Sequence, residues 1–314
     1  MFDTKNPIIY YNQYIGNGEN IYMVRRTNSN LAKVLEVQKP DLKVAKEVKT
    51  TAYNDINLKS WKDYDYVKTD TLWEFPNRLR EGGHSNEYHG NFIPQIVQQF
   101  YHRYTKENDV VLDLFFGSGT SGIEAINMNR RCIGVELKDE LAEAVSEKFS
   151  PKQLVTDVNI ICADSASELA KEKVQARLDI MGRKQAQLLM LHPPYDDIIK
   201  FSDKKEDLSN CATTEEFYDL FEKVAKNGYD LLEKGRFACL IIGDKYANSQ
   251  HIPLGFECMA RMNKLGFITK AIIIKDMQGN ERAKGKTANL WRYRALAGGF
   301  YIFKHEYVMV FQKV

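Results

Sequence analysis

The sequence predicts an α/β fold, a doubly wound and mostly parallel sheet of seven strands, on three observations. Short apolar runs alternate with stretches of helical periodicity from residue 92 to residue 312. Glycines stand where the first run gives way to a helix, and an acidic residue closes each of the first three runs. Alternation of this kind places helices on both faces of a parallel sheet and a ligand at the C-terminal ends of its strands.

Taken in order, residues 92–104 read as a helix with Ile93, Ile96, Val97 and Phe100 on one face. Residues 110–116 are a continuous apolar run ending in glycine, as expected of a strand buried on both faces. A helix over 121–128 and a second strand over 132–137 follow, and then a helix over 139–149 with Leu141, Ala144, Val145 and Phe149 on one stripe. The third strand is 158–162, a helical stretch lies near 165–178, and the fourth strand is 187–191. Thr213-x-x-Glu216 has the form of a capping box and opens a long helix over 213–232. The fifth strand is 237–242, a helix over 254–265 stops at Gly266, and 269–274 and 307–312 supply the last two strands. Residues 1–71 mix Tyr, Asn and Lys without steady periodicity. They form a separate N-terminal extension, either a small β element or an arm wrapped on the core, ahead of a domain over 72–314.

Composition narrows the class. With 44% hydrophobic and 27% charged residues the chain is an ordinary globular protein. No apolar run approaches the roughly 18 residues that cross a bilayer, and the first residues lack the basic and apolar regions of a signal peptide, so a cytoplasmic location is expected. The five cysteines show no C-x-x-C spacing and read as small hydrophobes, and the six histidines form no metal-binding pattern. Net charge is only +2, yet the stretch from Arg261 to the C-terminus has eleven basic residues against three acids, a net of +8. Such a segment suits a polyanionic partner or, equally, a solvated charged face.

The first strand runs into Asp113-Leu114-Phe115-Phe116-Gly117-Ser118-Gly119-Thr120. Gly117-x-Gly119-x-x-Gly122, with Glu136 about 20 residues on, satisfies a dinucleotide fingerprint, so a dehydrogenase competes. Two details favour S-adenosylmethionine. Asp113 would repel a pyrophosphate but can pair with an amino acid's ammonium group, and Asp164 closes the third strand. Three acids at the ends of three successive strands suit a cofactor with an amine, a ribose diol and an adenine.

The fourth strand ends in Leu191-His192-Pro193-Pro194-Tyr195. Two prolines cannot continue a central ladder, so pairing stops here and the Pro193 carbonyl is left free. At this point the chain resembles the DNA amino-methyltransferases that modify adenine N6 or cytosine N4. Their cofactor loop has the form Asp-x-Phe-x-Gly-Ser-Gly-Thr, and their tetrapeptide is Asp, Asn or Ser followed by Pro-Pro-Tyr or Pro-Pro-Phe. Trp73-Glu74-Phe75-Pro76, His89-Gly90-Asn91-Phe92-Ile93-Pro94 and the ending His305-Glu306-Tyr307 are similar to flanking segments of that family, so the resemblance covers about residues 72–314.

The resemblance implies a Rossmann-like methyltransferase domain and S-adenosylmethionine as cofactor. Phe92 and Pro94 would flank its methionine part, with Asp113, Phe115, Gly117, Ser118, Gly119 and Thr120 around it. Glu136 would hold the ribose hydroxyls and Asp164 the adenine amine. His192, Pro193, Pro194 and Tyr195 would form the catalytic turn. The Pro193 carbonyl and the side chain at 192 accept the two N–H bonds of an exocyclic amine, and Tyr195 stacks on a base swung out of double-stranded DNA. His192 departs from the pattern. A neutral imidazole accepts one hydrogen bond and an imidazolium none, so activity is expected to fall below a pH of about 6.5. The other reading of His192 is an idle copy, a DNA-binding subunit beside an active partner.

The resemblance leaves room for a restriction or specificity subunit, or a second copy of the chain, as further partners. DNA would be read by the loop over 276–299, with Arg282, Lys284, Lys286, Trp291, Arg292 and Arg294, whose bland alternative is a lysine-rich surface loop. Lysines near 33–49 could add phosphate contacts. An RNA guanine-N2 methyltransferase shares the tetrapeptide logic and is the close rival; a dehydrogenase leaves Pro193-Pro194-Tyr195 without a purpose.

Overall fold

The computed structural model describes residues 50–84, 90–149, 157–277 and 288–314, with three short strands nearer the N-terminus. Gln13–Gly16 (β1), Ile21–Arg25 (β2) and Lys33–Glu36 (β3) pair antiparallel in the order β1-β2-β3, inside a unit spanning Met1–Lys49. The second unit, Thr50–Val314, contains the whole of the candidate site. The division expected after residue 71 therefore falls after residue 49. Residues 50–71 are laced to the helix Pro94–Tyr104 (α1): Asn54 donates to the Arg103 carbonyl at 2.8 Å, and the Lys68 N–H donates to Gln99 at 2.7 Å.

The main sheet has eight strands, one more than expected. They are β4 (Leu72–Trp73), β5 (Val110–Asp113), β6 (Arg131–Glu136), β7 (Val158–Cys162), β8 (Ala186–Leu191), β9 (Leu232–Ile242), β12 (Phe267–Asp276) and β13 (His305–Lys313), in the order β4-β12-β13-β9-β8-β5-β6-β7. The extra strand is β4, a two-residue edge strand parallel to β12. Only β13 runs against its neighbours β9 and β12. A separate hairpin, β10 (Lys245–Ala247) and β11 (Gln250–Ile252), turns at Asn248 and Ser249, both with positive φ.

The alternation of side chains along the central strands builds two cores. Leu112, Leu189, Leu191, Leu240 and Met309 point to one face, where α4 (Glu168–Ile180), α5 (Thr214–Leu231) and α6 (Leu254–Lys264) cover them with Val174, Leu178, Phe217, Phe221 and Met262. Val111, Leu188, Met190, Cys239 and Val308 point to the other, under α1, α2 (Thr120–Asn127) and α3 (Asp139–Phe149), which contribute Ile96, Phe100, Ile123, Val145 and Phe149. Each such strand is apolar on both sides, which is why these strands read as runs rather than as alternations. The predicted cap holds: Thr213 accepts from the Glu216 N–H, while the Glu216 carboxylate accepts from Ala212 N–H. Residues 276–299, expected as a loop, include a helix, α7 (Ala288–Gly298). Among the described residues no helix is long and apolar enough to cross a membrane, and no cluster of His, Cys, Asp and Glu could hold a metal.

Candidate active site

The sheet reverses its winding between β5 and β8, whose neighbours on the far sides are β6 and β9. At such a switch point the chain leaves adjacent strands in opposite directions and opens a crevice at their carboxyl ends. A cavity of about 590 Å³ lies there, lined by Gly117 and Thr120 after β5, Glu136 at the end of β6, Asp164 after β7, and His192 to Tyr195 after β8.

The turn after β5 requires its glycines. Gly117 and Gly119 have φ of +53° and +86°, a region L side chains rarely adopt. Below the turn the Phe116 ring fills the space over Gly134 of β6, where a Cβ would lie 2.2 Å from the ring. Glu136 clamps the turn from the neighbouring strand: its two oxygens accept from the Gly117 and Lys138 N–H groups, each at 2.9 Å. Burial raises the carboxyl's pKa, and these two bonds oppose the rise. Asp164 accepts from the Ala166 N–H at 2.9 Å and is likewise raised by burial. Phe92 and Phe115 also line the cavity.

Asp113, Ser118, Gly119 and Pro94 do not line it. Asp113 is sealed beneath the turn, where its carboxylate accepts from Ser121 Oγ at 2.5 Å and from the Phe115 N–H at 3.0 Å. Burial pushes its pKa up to about 6 in spite of those bonds. It therefore shapes the loop from below. Ser118 accepts from the Asn91 side chain at 2.6 Å, and Pro94 starts α1. Among the residues that reach the cavity from this side is Arg78, which went unnoticed in the sequence. Its Nη1 donates to the Asn91 carbonyl at 3.0 Å, and its Nε is buried without a hydrogen-bond partner among the described residues.

At the other end, the ladder of β8 stops with Leu191 opposite Leu240, and the two prolines follow. His192 meets the Phe92 ring edge to face at 5.0 Å between centroids, and its Nε2 is 3.4 Å from the Tyr195 hydroxyl. Burial pulls the imidazole's pKa down to about 4. The side chain is therefore neutral at neutral pH, and a titration expected near pH 6.5 moves down to about 4. Tyr195 Oη donates to Glu306 Oε2 at 2.8 Å, and Glu306 Oε1 accepts from Lys275 Nζ at 2.9 Å. Glu306 and Lys275 are each 6% exposed and stand opposite one another on β13 and β12. Burial works to raise the Glu306 pKa, but Lys275 beside it holds the carboxyl below the usual range. Both residues line the cavity. The His305-Glu306-Tyr307 ending was the visible signal for one; a lysine closing the apolar run Ile272-Ile273-Ile274 was the signal for the other.

Of the residues expected to contact DNA, Trp291, Arg292 and Arg294 lie on α7, with the two arginines exposed and the Arg294 guanidinium 5.4 Å from the Trp291 ring centre. Arg282, Lys284 and Lys286 lie outside the described residues.

A doubly wound sheet with a reversed strand β13, a glycine turn at β5 and a Pro-Pro-Tyr turn at β8 defines a Rossmann-like methyltransferase fold. The chain matches the DNA methylase family of N6/N4 methyltransferases over residues 2–147 and 186–314, and it belongs to that family. Over 100 residues it is 33% identical to the probable type III restriction-modification enzyme HindVI Mod subunit of Haemophilus influenzae, covering 31% of this chain and 13% of that protein. Over 79 residues it is 31% identical to the type II methyltransferase M.XycI of Xanthomonas campestris pv. cyanopsidis, covering 25% of each. The matched stretches thus span a minor part of these relatives. Among solved structures, TrmN from Thermus thermophilus aligns with a TM-score of 0.44 at 14% identity, over 72% of this chain and 50% of that one, a likeness that says nothing about activity.

Proposed function

We propose that the protein transfers a methyl group from S-adenosylmethionine to an exocyclic amine of a base in duplex DNA, adenine N6 or cytosine N4, with adenine the first to test. One observation carries the reading: a single cavity joins the Gly117 turn of β5 to the Pro-Pro-Tyr turn of β8, so that a bound cofactor and an extruded base would share one space.

The residues present fit the cofactor. Its carboxylate has a partner in Arg78, whose unpaired Nε is a donor awaiting an acceptor. Glu136 and Asp164 each retain acceptor capacity beyond the backbone bonds they already make, as a ribose diol and an adenine amine require. When bound, S-adenosylmethionine supplies the methyl group on a sulfonium, a good leaving group. The chain's own residues prepare the amine. Its lone pair is conjugated into the base ring, and acceptors for its two N–H groups draw the nitrogen toward sp³ and release that pair. The Pro193 carbonyl and the neutral His192 are the two acceptors, and the Tyr195 ring offers a stacking surface that offsets unstacking costs of a few kcal/mol. Positioning then does the rest, without a covalent enzyme intermediate.

Arg292 and Arg294 on α7 are the DNA contacts we propose, and the likeness to a Mod subunit makes a restriction subunit the protein partner to seek by co-purification. The test is incubation of purified protein with tritiated S-adenosylmethionine and duplex DNA, followed by digestion and nucleoside analysis. Label in N6-methyl-2′-deoxyadenosine or N4-methyl-2′-deoxycytidine is the expected result. Label in RNA alone, or none with any DNA, overturns the reading.

A further inference from the structure

We infer that Lys275, Glu306 and Tyr195 form a relay that sets the tautomer of His192, keeping the proton on Nε2 and leaving Nδ1 as the open acceptor. The inference rests on the methyltransferase reading only for its purpose; the relay itself follows from hydrogen-bond bookkeeping.

An ionised carboxylate has no proton to give, so both oxygens of Glu306 accept. Oε1 takes an N–H of Lys275 at 2.9 Å, and Oε2, 2.8 Å from Tyr195 Oη, takes that residue's single hydroxyl proton. The Tyr195 oxygen then presents only lone pairs to His192 Nε2, 3.4 Å away. Were Nε2 unprotonated, two lone pairs would face each other in a half-buried site. With Nε2 protonated, a bond forms. A neutral imidazole carries one N–H, so Nδ1 becomes the acceptor. The charged and titratable groups that act on His192 are Glu306, which favours its cationic form, and Lys275, which opposes it; burial exceeds both, and the ring stays neutral.

The arrangement answers a need specific to this chain. Asp or Ser at position 192 would present an acceptor oxygen whatever surrounded it, and Asn would do so in one of its two amide orientations. A histidine offers an acceptor at one nitrogen only, and a partner must decide which. Glu306 and Lys275 are therefore positioning residues, acting through Tyr195, whose own ring stays available for stacking. Their placement is economical in sequence: both come from one antiparallel strand pair in which they are direct partners, β12 and β13.

The test is ¹⁵N NMR of the full chain labelled in histidine, with the His192 signals assigned by their loss in His192→Asn. The expected spectrum at pH 7 shows a protonated Nε2 and an unprotonated Nδ1 at His192, and Tyr195→Phe, which keeps the ring, shifts the population toward the other tautomer. A wild-type signal with the proton on Nδ1, or a spectrum unchanged by Tyr195→Phe, overturns the inference. A kinetic arm measures the coupling. Tyr195→Phe lowers kcat about 10-fold with little change in KM for DNA, and its effect is strongly non-additive with His192→Asn; additive effects count against the relay. Should wild-type protein transfer no methyl group to DNA, the functional reading fails while the spectrum still decides the tautomer.

Discussion

Acidification tests the proposed role of His192 most directly, because the structure and the free side chain predict different outcomes. An imidazole with the ordinary pKa of about 6.5 is only about 3% neutral at pH 5, whereas one held at about 4 is about 90% neutral there. If the neutral ring is the acceptor, the two cases differ about 30-fold in rate at pH 5. The measurement is kcat/KM of the wild type divided by that of His192→Asn, whose amide oxygen accepts at any pH. Division cancels titrations common to both proteins, including Asp113, whose pKa near 6 falls inside the same window. The quotient should stay flat from pH 8 to about 5.5 and halve near pH 4. Stability supplies a second readout with a definite sign. The folded pKa lies below the unfolded one, so between them the unfolded chain binds more protons and stability is lost as pH falls from 6.5 toward 4. At pH 5 the loss attributable to His192 is about 2 kcal/mol, and it should vanish in His192→Asn, as urea midpoints at pH 7 and 5 will show. A quotient that drops about 8-fold between pH 7 and 5.5, as an imidazole of ordinary pKa requires, with no difference in acid sensitivity of folding, would refute the argument from burial.

Three further outcomes follow. Gly134→Ala drives a methyl group into the Phe116 ring beneath the cofactor turn and should destabilise the protein by about 1–3 kcal/mol, read from urea denaturation. Arg78→Met should weaken S-adenosylmethionine binding about 10- to 100-fold in calorimetry, the worth of a hydrogen bond to a charged group, while DNA affinity is unchanged; an unaltered cofactor Kd removes Arg78 from the site. Arg292→Ala combined with Arg294→Ala should weaken DNA binding and reduce the slope of log K against log salt by about 2, and an unchanged slope would take α7 out of the DNA contact.

What was legible in the sequence follows from where burial is two-sided. The parallel strands read correctly because neither face meets water, so apolar runs such as Val110–Asp113 and Ala186–Leu191 stand out without any periodicity argument. The amphipathic helix Asp139–Phe149 was legible in full. The β10–β11 hairpin was not, because its turn uses Asn248 and Ser249 rather than a glycine. α7 was not either: Leu290, Trp291, Tyr293 and Leu296 are spread around its axis and interrupted by Arg292 and Arg294, so no stripe marks a helix. Gly117, Glu136, Asp164 and His192, expected at the site, all line the cavity because the topology brings the ends of β5, β6, β7 and β8 to one crevice. Asp113 shows the limit of that rule. A strand-end acid can face the ligand or turn back to brace the loop, and only the Ser121 hydroxyl and Phe115 N–H on its oxygens decide for bracing. The ending His305-Glu306-Tyr307 marked Glu306 without showing its task, because Tyr195 and Glu306 are 111 residues apart and no local pattern encodes such a pair; Arg78 lies in a stretch without periodicity and carried no signal of its own.

The antiparallel pair β12 and β13 links two tasks that looked separate in the sequence. Lys275 and Glu306 face the Pro-Pro-Tyr turn from adjacent positions on the two strands, and Asp276 and Met277, the next residues of the chain, line the same cavity. The segment that leaves the sheet at Met277 returns at Lys304, closed by a Met277 N–H to Lys304 carbonyl bond of 2.9 Å, and α7 with its two exposed arginines lies between. The stem of the proposed DNA-contacting segment is thus continuous with the strands that hold the support of His192. A displacement of that stem when arginines engage phosphates would be felt at the Lys275–Glu306 pair within one or two residues, a distance over which packed β-structure moves as a unit. DNA engagement and the readiness of the acceptor at His192 should therefore be coupled: adding non-target duplex DNA should alter the His192 ¹⁵N spectrum of the wild type, and should fail to do so in Arg292→Ala combined with Arg294→Ala.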